Sequence, residues 1–178
     1  DMILPSFDGL KFGYIGRDYP HKNLNILEEC HKLLKAKIDR PFKFYVTLNE
    51  QEWSKRSQYF RDNIHNIGVL DLNQCPIFYN HIDFVLFPSF LECYSATPIE
   101  SIFMGKTLFA SDRNFVKDKC GNLPIYFDPN NPLDLTNKII ENIDKVDTLL
   151  QGQNIKISNS LIRTNNYIKI SILKVLTI

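Results

Sequence analysis

The distribution of apolar residues along the chain predicts strands that alternate with helices. Residues 84–87 are continuously apolar, as expected for a strand that helices cover on both faces of a sheet. Other short runs are rich in β-branched or aromatic residues, which favour strands. These further strands are predicted at 11–15, 42–48, 64–69, 107–110 and 124–127.

The segments between these strands predict helices. Leu24, Leu27, Leu34 and Ile38 recur at helical spacing after the first strand. The alternation of strands and helices predicts a Rossmann-like, three-layer α/β/α fold with a parallel sheet of about six strands. The other helices are predicted at about 50–62, in a short stretch ending near 80, at 97–104, 133–150 and 159–175, with 115–123 as a loop or irregular helix.

Length and turn signals predict three parts of the chain. At 178 residues, the chain fits one domain with an additional terminal segment. Residues 1–10 are predicted to be a linker from an N-terminal domain that this chain lacks. Residues 11–150 are predicted to form the α/β domain, and residues 151–178 a C-terminal helical segment.

A polar loop and a short helix follow the strand at 84–87. Thr97 is predicted as the N-cap of this helix, with Pro98 at its first position and Glu100 completing a capping box. Gly105 is predicted to end the helix. Ligands of parallel α/β sheets bind at the carboxyl ends of the strands, so this loop is a predicted ligand site.

Charge and composition argue against several classes of function. The chain has 21 Lys and Arg against 20 Asp and Glu, a net charge of +1, which disfavours a broad nucleic-acid-binding surface. No stretch approaches the ~18 consecutive apolar residues of a membrane span. Neither the G-x-G-x-x-G nor the P-loop glycine pattern is present, which disfavours dehydrogenases and P-loop enzymes.

The cysteines favour neither a metal site nor a nucleophile. They are far apart in sequence, whereas zinc ligands come in closely spaced pairs, and reduced thiols in a cytosolic protein are the simpler interpretation. Cys93 lies in the predicted ligand loop, but the sequence assigns no base beside it. The four residues are Cys30, Cys75, Cys93 and Cys120.

Two cations and two carboxylates are predicted at the same edge of the sheet. Arg17 and Lys22 follow the first strand, and a guanidinium with an ammonium suits a diphosphate. Glu92 and Glu100 flank the loop after the strand at 84–87. The alternative interpretations are two solvated cations, a solvated Glu92, and a Glu100 that only caps its helix.

The stretch from 88 to 110 resembles the group 1 family of retaining glycosyltransferases, which have the GT-B fold. It combines Pro-Ser-x-x-Glu, seven intervening residues, a second Glu, an apolar helix, Gly and an apolar strand. Gly16-Arg17-x4-Lys22 also matches the family's Gly-Arg-x(4–6)-Lys arrangement. The resemblance covers roughly residues 10–150 and implies that this domain is the donor-nucleotide-binding half of a GT-B fold.

The resemblance also implies roles for individual residues. Arg17 and Lys22 would hold the diphosphate, Glu92 would face the donor sugar, and Glu100 would accept hydrogen bonds from the ribose hydroxyls. The first three are the implied catalytic residues. The family usually has a glycine near Ser95, so this sequence departs from it there. The implied nucleotide-binding residues are Gly16, Arg17, Lys22, Glu92, Cys93, Tyr94, Ser95, Thr97 and Glu100.

The implied reaction is retaining transfer of a hexosyl group from a UDP- or GDP-sugar to a sugar or lipid-linked acceptor, in glycan or polysaccharide biosynthesis. No metal is implied, and the chain alone is expected to be inactive because the acceptor side belongs to an N-terminal domain. The family implies a cytoplasmic location, at the inner face of the membrane when the full-length enzyme associates peripherally. Alternatives are an epimerase or a phosphorylase-like enzyme of the same fold, or a non-catalytic nucleotide-binding or interaction module.

Overall fold

A computed structural model describes residue 4 and residues 6–145, which form a six-stranded sheet. The strands are Leu10–Gly13 (β1), Phe42–Val46 (β2), His65–Asn66 (β3), Phe84–Phe87 (β4), Thr107–Ser111 (β5) and Ile125–Phe127 (β6). Every pairing is parallel, and the strand order is β3-β2-β1-β4-β5-β6.

Helices connect the strands and cover the sheet. They are Asn25–Lys37 (α1), Glu50–Ser54 (α2), Gln58–Asn63 (α3), Cys75–His81 (α4), Thr97–Phe103 (α5), Asn114–Cys120 (α6) and Pro132–Asn142 (α7). Short 3-10 turns occupy Pro20–Lys22 and Ile143–Lys145. Within the described residues, every helix is too short or too polar to cross a lipid bilayer.

The core is divided between the two faces of the sheet because side chains alternate along each strand. Phe84 and Leu86 of β4 pack on one face with apolar residues of α1 and α7, whereas Val85 and Phe87 pack on the other with residues of α4 and α6. The two clusters therefore make three layers. The predicted three-layer α/β/α fold with about six parallel strands is confirmed.

Some predicted elements differ from the structure. The predicted helix at 50–62 is two helices, because Ser57 takes an extended backbone and its hydroxyl accepts a hydrogen bond from the Phe60 amide. The predicted third strand is only two residues long. Residues 114–120 form a regular helix, where a loop or irregular helix is predicted at 115–123. The predicted helix at 159–175, the end of that at 133–150 and the segment 151–178 lie outside the described residues.

The predicted capping box of α5 is wrong. Ala96, not Thr97, is the N-cap, and its helical backbone extends the turn one residue earlier than predicted. Glu100 therefore does not cap the helix, and its carboxylate accepts a hydrogen bond from the Tyr79 hydroxyl instead. The other end is as predicted, since Gly105 follows the helix with φ +67°, a conformation that favours glycine.

The strand order creates a switch point between β1 and β4. The chain passes from β1 toward one edge of the sheet through β2 and β3, and returns to place β4 on the other side of β1. The loops that follow two such strands diverge and leave a crevice at their carboxyl ends, where ligands of this architecture bind. The loops that leave β1 and β4 are those with the predicted charged residues.

His31 of α1 is buried between the helical layer and the sheet. Its Nδ1 lies 3.0 Å from the Tyr59 hydroxyl oxygen, and its ring contacts the rings of Phe42 and Phe44. Burial, together with the charge of Lys35, lowers the pKa of His31 from 6.5 to about 4. The ring is therefore neutral in the folded protein at pH 7.

We expect acid to destabilise the fold through His31. In the unfolded chain this histidine binds a proton below its ordinary pKa of 6.5, whereas in the folded chain it does so only near pH 4. The contribution of the neutral ring to the free energy of unfolding is therefore complete above pH 6.5 and decreases as the pH falls toward 4. Urea unfolding across this range should give a smaller pH slope for His31→Gln than for wild type. The exposed His21→Gln serves as the control for replacing a histidine, and a slope for His31→Gln equal to that of wild type would refute the assignment.

Candidate functional site

The loops that follow β1 and β4 are joined to each other. The amide of Phe90 donates a hydrogen bond of 2.7 Å to the carbonyl of His21. Asn23, in a left-handed conformation at φ +57°, donates through Nδ2 to the carbonyls of Pro88 at 3.2 Å and Pro129 at 2.7 Å. These bonds hold the loop after β1 against the loops after β4 and β6.

Lys22 and Glu92 form the ion pair at the centre of this junction. Lys22 Nζ lies 2.5 Å from Glu92 Oε1, and the Ser89 hydroxyl donates to the same oxygen at 2.8 Å. The side chains of Lys22 and Glu92 are only 16% and 7% exposed. The carboxylate is therefore not a solvated loop group. Its partner comes from the loop that the sequence predicts to bind a diphosphate.

Arg17 lies in the same loop but has a different partner. Its Nε donates to Glu52 Oε1 at 2.8 Å, and its side chain remains 45% exposed. The hydrogen bond and charge of Glu52 raise the pKa of Arg17, so the guanidinium remains charged. Arg17 and Lys22 are thus both at the carboxyl edge of the sheet, each with a carboxylate partner.

Gly16 allows the turn that leads to Arg17. Its φ of +152° is a conformation that side-chain-bearing residues rarely adopt, and a Cβ there would lie 2.8 Å from the Tyr14 hydroxyl. The Gly16 amide donates to Thr47 Oγ1 at 3.0 Å, and the Tyr14 hydroxyl donates to the Arg17 carbonyl at 2.9 Å. Burial and the charge of Glu92 raise the pKa of Tyr14, so it remains a donor.

Glu100 borders an apolar cleft between α4 and α5. The cleft has a volume of about 210 Å³. Tyr79, which is buried, donates its hydroxyl to Glu100 Oε2 at 3.0 Å. Burial and the charge of Glu100 raise the pKa of Tyr79, so the phenol stays protonated and remains a donor. Because Tyr79 uses Oε2, Glu100 Oε1 is left to accept from another donor. The remaining lining residues are mostly apolar: Leu72, Cys75, Pro76, Ile99, Phe103 and Met104.

The residues between the two glutamates form an exposed rim. Cys93 and Tyr94 are exposed, and the Tyr94 ring lies under Lys119 Nζ at 4.3 Å from its centroid. Ser95 is half-buried and Thr97 is buried at the start of α5. Ala96 provides no side-chain cap for α5, and Pro98 in the first turn has no N–H to donate.

A larger cavity lies at the opposite edge of the sheet. It has a volume of about 540 Å³ and is lined by residues such as Lys11, Arg40 and Asp83, near the amino ends of β1 and β4. None of the predicted site residues lines it. Because ligands of parallel sheets bind at the carboxyl ends of the strands, we assign the candidate site to the smaller cleft and its neighbouring loops.

Four residues around the predicted site are not indicated as site residues by the sequence pattern. Three of them contact predicted residues directly, whereas Asn23, which follows Lys22 in the same loop, bonds to neighbouring loops. Glu52 and Tyr79 come from other segments of the chain. The three with direct contacts are Ser89, Glu52 and Tyr79. Only Ser89 belongs to the motif. Within residue 4 and residues 6–145, His, Cys, Asp and Glu side chains form no cluster of three or more that could bind a metal ion.

Comparison with known families identifies the chain. A sequence profile described as "Glycosyl transferases group 1" matches residues 9–145, which is most of the chain. The chain belongs to the group 1 glycosyl transferases. A search of curated protein sequences gives no significant match.

Solved structures of glycosyltransferases have the same fold. A Staphylococcus aureus TarM variant, determined with fondaparinux, α-GlcNAc-glycerol and UDP, superposes with a TM-score of 0.72 at 18% identity, over 92% of this chain and 34% of that one. The catalytic domain of the Helicobacter pylori cholesterol-α-glucosyltransferase gives 0.70 at 18% identity, over 86% and 99%. Sucrose-phosphate synthase from Thermosynechococcus elongatus gives 0.67 at 16% identity, over 93% and 46%.

This group 1 chain spans about a third of the length of TarM. At these identities the comparison establishes the fold alone, and the fold is that of one domain of the GT-B glycosyltransferases. The family membership places the chain among the transferases. The roles of individual residues remain predictions.

The buried Lys22–Glu92 pair should be energetically coupled. Lys22→Met leaves the Glu92 carboxylate in a nearly closed site, with Ser89 as its only donor among the described residues. The substitution should lower the free energy of unfolding by about 1–3 kcal/mol. Adding Glu92→Gln removes the unpaired charge and should restore about 1 kcal/mol or more. Urea unfolding of the single and double variants measures the coupling.

An exposed ion pair provides the control for this cycle. Lys117 and Asp112 are in contact, with side chains 45% and 49% exposed, so Lys117→Met should change stability by less than about 1 kcal/mol. If the effects of Lys22→Met and Glu92→Gln simply add, the two groups are not coupled and the central pairing is wrong.

Proposed function

We propose that this domain binds a nucleoside diphosphate sugar and supports retaining transfer of the sugar to an acceptor. The observation that carries the proposal is the meeting of Lys22 and Glu92 at the switch point of the sheet. In this junction the ammonium of Lys22 suits the diphosphate of such a donor, and the carboxylate of Glu92 suits its sugar. The diphosphate is anionic, and the sugar carries hydroxyl donors.

The diphosphate binds to Arg17 and Lys22 in this proposal. Both cations are in the Gly16–Lys22 loop at the carboxyl end of β1. Arg17 is partly exposed, and Lys22 is able to donate to a phosphate while it keeps one bond to Glu92, because an ammonium has three donors. Ser95, which is half-buried in the loop before α5, is a further candidate partner for the β-phosphate.

The nucleoside binds along the cleft between α4 and α5. A carboxylate accepts hydrogen bonds from both hydroxyls of a ribose, and Glu100 has one oxygen without a donor among the described residues. The mainly apolar lining suits the faces of a base. UDP and GDP are the candidate nucleotides, and UDP is the nucleotide named for the TarM structure.

The domain promotes the reaction by stabilising its leaving group. When the bond between the anomeric carbon and the β-phosphate oxygen breaks, the electron pair remains on the diphosphate. Two cations at this position stabilise the additional negative charge without a metal ion. Glu92 accepts hydrogen bonds from the donor sugar and thereby orients it, while the acceptor approaches on the face from which the diphosphate leaves.

We infer that the acceptor binds outside this domain. The chain spans only a third of TarM and less than half of sucrose-phosphate synthase, so other parts of such enzymes have room for acceptor contacts. A sugar or lipid-linked acceptor, a glycan product and a cytoplasmic location at the membrane face remain predictions. The chain alone is expected to bind donor with little or no turnover.

Nucleotide binding tests the proposal on the chain itself. Thermal unfolding with UDP, GDP and ADP at millimolar concentration should show that one nucleotide raises the melting temperature, since binding to the native state stabilises it. Arg17→Ala and Glu100→Gln should each weaken that nucleotide about tenfold or more, because each removes a charge-assisted contact.

Matched variants at the far edge of the domain serve as controls. Arg40→Ala and Glu141→Gln remove the same kinds of charge at exposed positions away from the cleft and should leave nucleotide binding unchanged. A nucleotide that binds with equal affinity to Arg17→Ala and Glu100→Gln would contradict the assigned roles. Absence of any nucleotide-dependent stabilisation in the full-length enzyme would favour the non-catalytic interaction module.

A further inference from the structure

Glu52 contacts the loop that carries Arg17. Its Oε1 accepts hydrogen bonds from Arg17 Nε at 2.8 Å and from the Asp18 amide at 3.1 Å. Glu52 is in the first turn of α2, which follows β2, and its side chain is only 13% exposed. A single carboxylate oxygen thus holds both the side chain of Arg17 and the backbone of the next residue.

Helix capping explains only half of these contacts. Glu52 and Asn49 form a capping box at the start of α2, in which Glu52 Oε2 accepts from the Asn49 amide at 3.1 Å. That task uses one oxygen and is complete within the helix. The other oxygen is directed across to the loop after β1, so the residue has a second contact that capping does not require.

The contact fixes one side of the Arg17 guanidinium and leaves the other side available. Glu52 binds Nε, and within residues 6–145 neither Nη atom of Arg17 has a hydrogen-bond acceptor. The side chain is nearly half exposed, so these Nη donors are open to solvent. A guanidinium held at Nε presents its remaining donors as a fixed fork, the geometry that suits a phosphate.

A second ion pair supports the same turn. Arg56 Nη1 contacts both carboxylate oxygens of Asp18 at 3.2 Å, its Nη2 donates to Asn25 Oδ1 at 2.7 Å, and its guanidinium lies over the Phe60 ring. Residue 18 is thereby held through its side chain by Arg56 and through its amide by Glu52. The segment from 49 to 56 therefore holds the loop through two side chains, those of Glu52 and Arg56.

Both partners of the Glu52–Arg17 pair are ionised. Burial alone would raise the pKa of Glu52, but the hydrogen bonds from Arg17 and from the amides of Asn49 and Asp18 hold it below its usual range. The carboxylate therefore stays charged at neutral pH.

We propose that Glu52 is a positioning residue that orients Arg17 toward the diphosphate of the donor. The proposal rests on the proposed function, since it assumes that the Arg17 fork binds phosphate. Glu52 itself does not contact the nucleotide, and acts through Arg17. The opposite interpretation is that Glu52 competes with the diphosphate for Arg17, and the two interpretations predict opposite changes in affinity.

Binding titrations with matched nucleotides test this role. Whichever of UDP and GDP binds wild type more tightly is compared with its own monophosphate, by calorimetry on the full chain. Glu52→Gln keeps the size of the side chain, and we expect it to weaken diphosphate binding about fivefold to tenfold and monophosphate binding less than about twofold. Glu50→Gln, in the same helical turn but exposed, is the control and should bind both nucleotides as wild type does.

A double variant separates positioning from a general structural effect. If Glu52 acts through Arg17, then Arg17→Ala/Glu52→Gln should bind the diphosphate no more weakly than Arg17→Ala alone. Unchanged or tighter diphosphate binding by Glu52→Gln would overturn the proposal, as would an equal loss for the monophosphate. If wild type binds neither nucleotide, the proposed function fails and this inference fails with it. If wild type binds the diphosphate and Glu52→Gln binds it equally well, the proposed function stands but the role of Glu52 is refuted.

Discussion

The adjacency of β1 and β4 in the sheet is the constraint on which the candidate site depends. Residues 16–22 and 88–100 are far apart in sequence, and only the reversal of strand order at this point brings them together. Hydrogen bonds between Phe90 and His21, and from Asn23 to two loops, then fix the distance between them. The ion pair of Lys22 and Glu92 is a consequence of that geometry.

Charge balance characterises the candidate site. Each of the two candidate phosphate-binding cations has one carboxylate partner, and the partners are in different environments. The Lys22–Glu92 pair is nearly closed to solvent, whereas Arg17 is accessible. Under the proposed function, a diphosphate would share Lys22 with Glu92, whereas the open Nη atoms of Arg17 would give it a contact that no described residue occupies. A ligand with both anionic and hydroxyl groups suits this arrangement, because the cations bind anions and the carboxylates accept from hydroxyls.

The sequence could predict what depends on local pattern. The four apolar residues of β4 gave the buried strand with its observed bounds, and Gly105 gave the end of α5. The motif also predicts that Lys22 and Glu92 lie at the same edge of the sheet, but it does not predict their direct contact. The N-cap of α5 was misassigned by one residue because Thr97 has a capping side chain, and the helical backbone of Ala96 is not visible in sequence.

Contacts between distant segments could not be predicted. Glu52 belongs to no ligand-binding motif in the sequence. Its contact with Arg17 depends on the pairing of β1 with β2 and on the position of α2 after β2. Tyr79 fits the pattern of a core residue, and only the packing of α4 beside α5 brings its hydroxyl to Glu100. Both residues belong to helices whose sequence pattern predicts a helix but no contact with the site.

Mapping of ligand binding by amide NMR tests the central claim most directly. Addition of the nucleoside diphosphate to the isotopically labelled chain should shift the amide resonances of residues 16–22 and 92–100, at the carboxyl ends of β1 and β4. Shifts confined to residues around the larger cavity, such as Lys11, Arg40 and Asp83, would contradict the account because they lie at the opposite edge of the sheet.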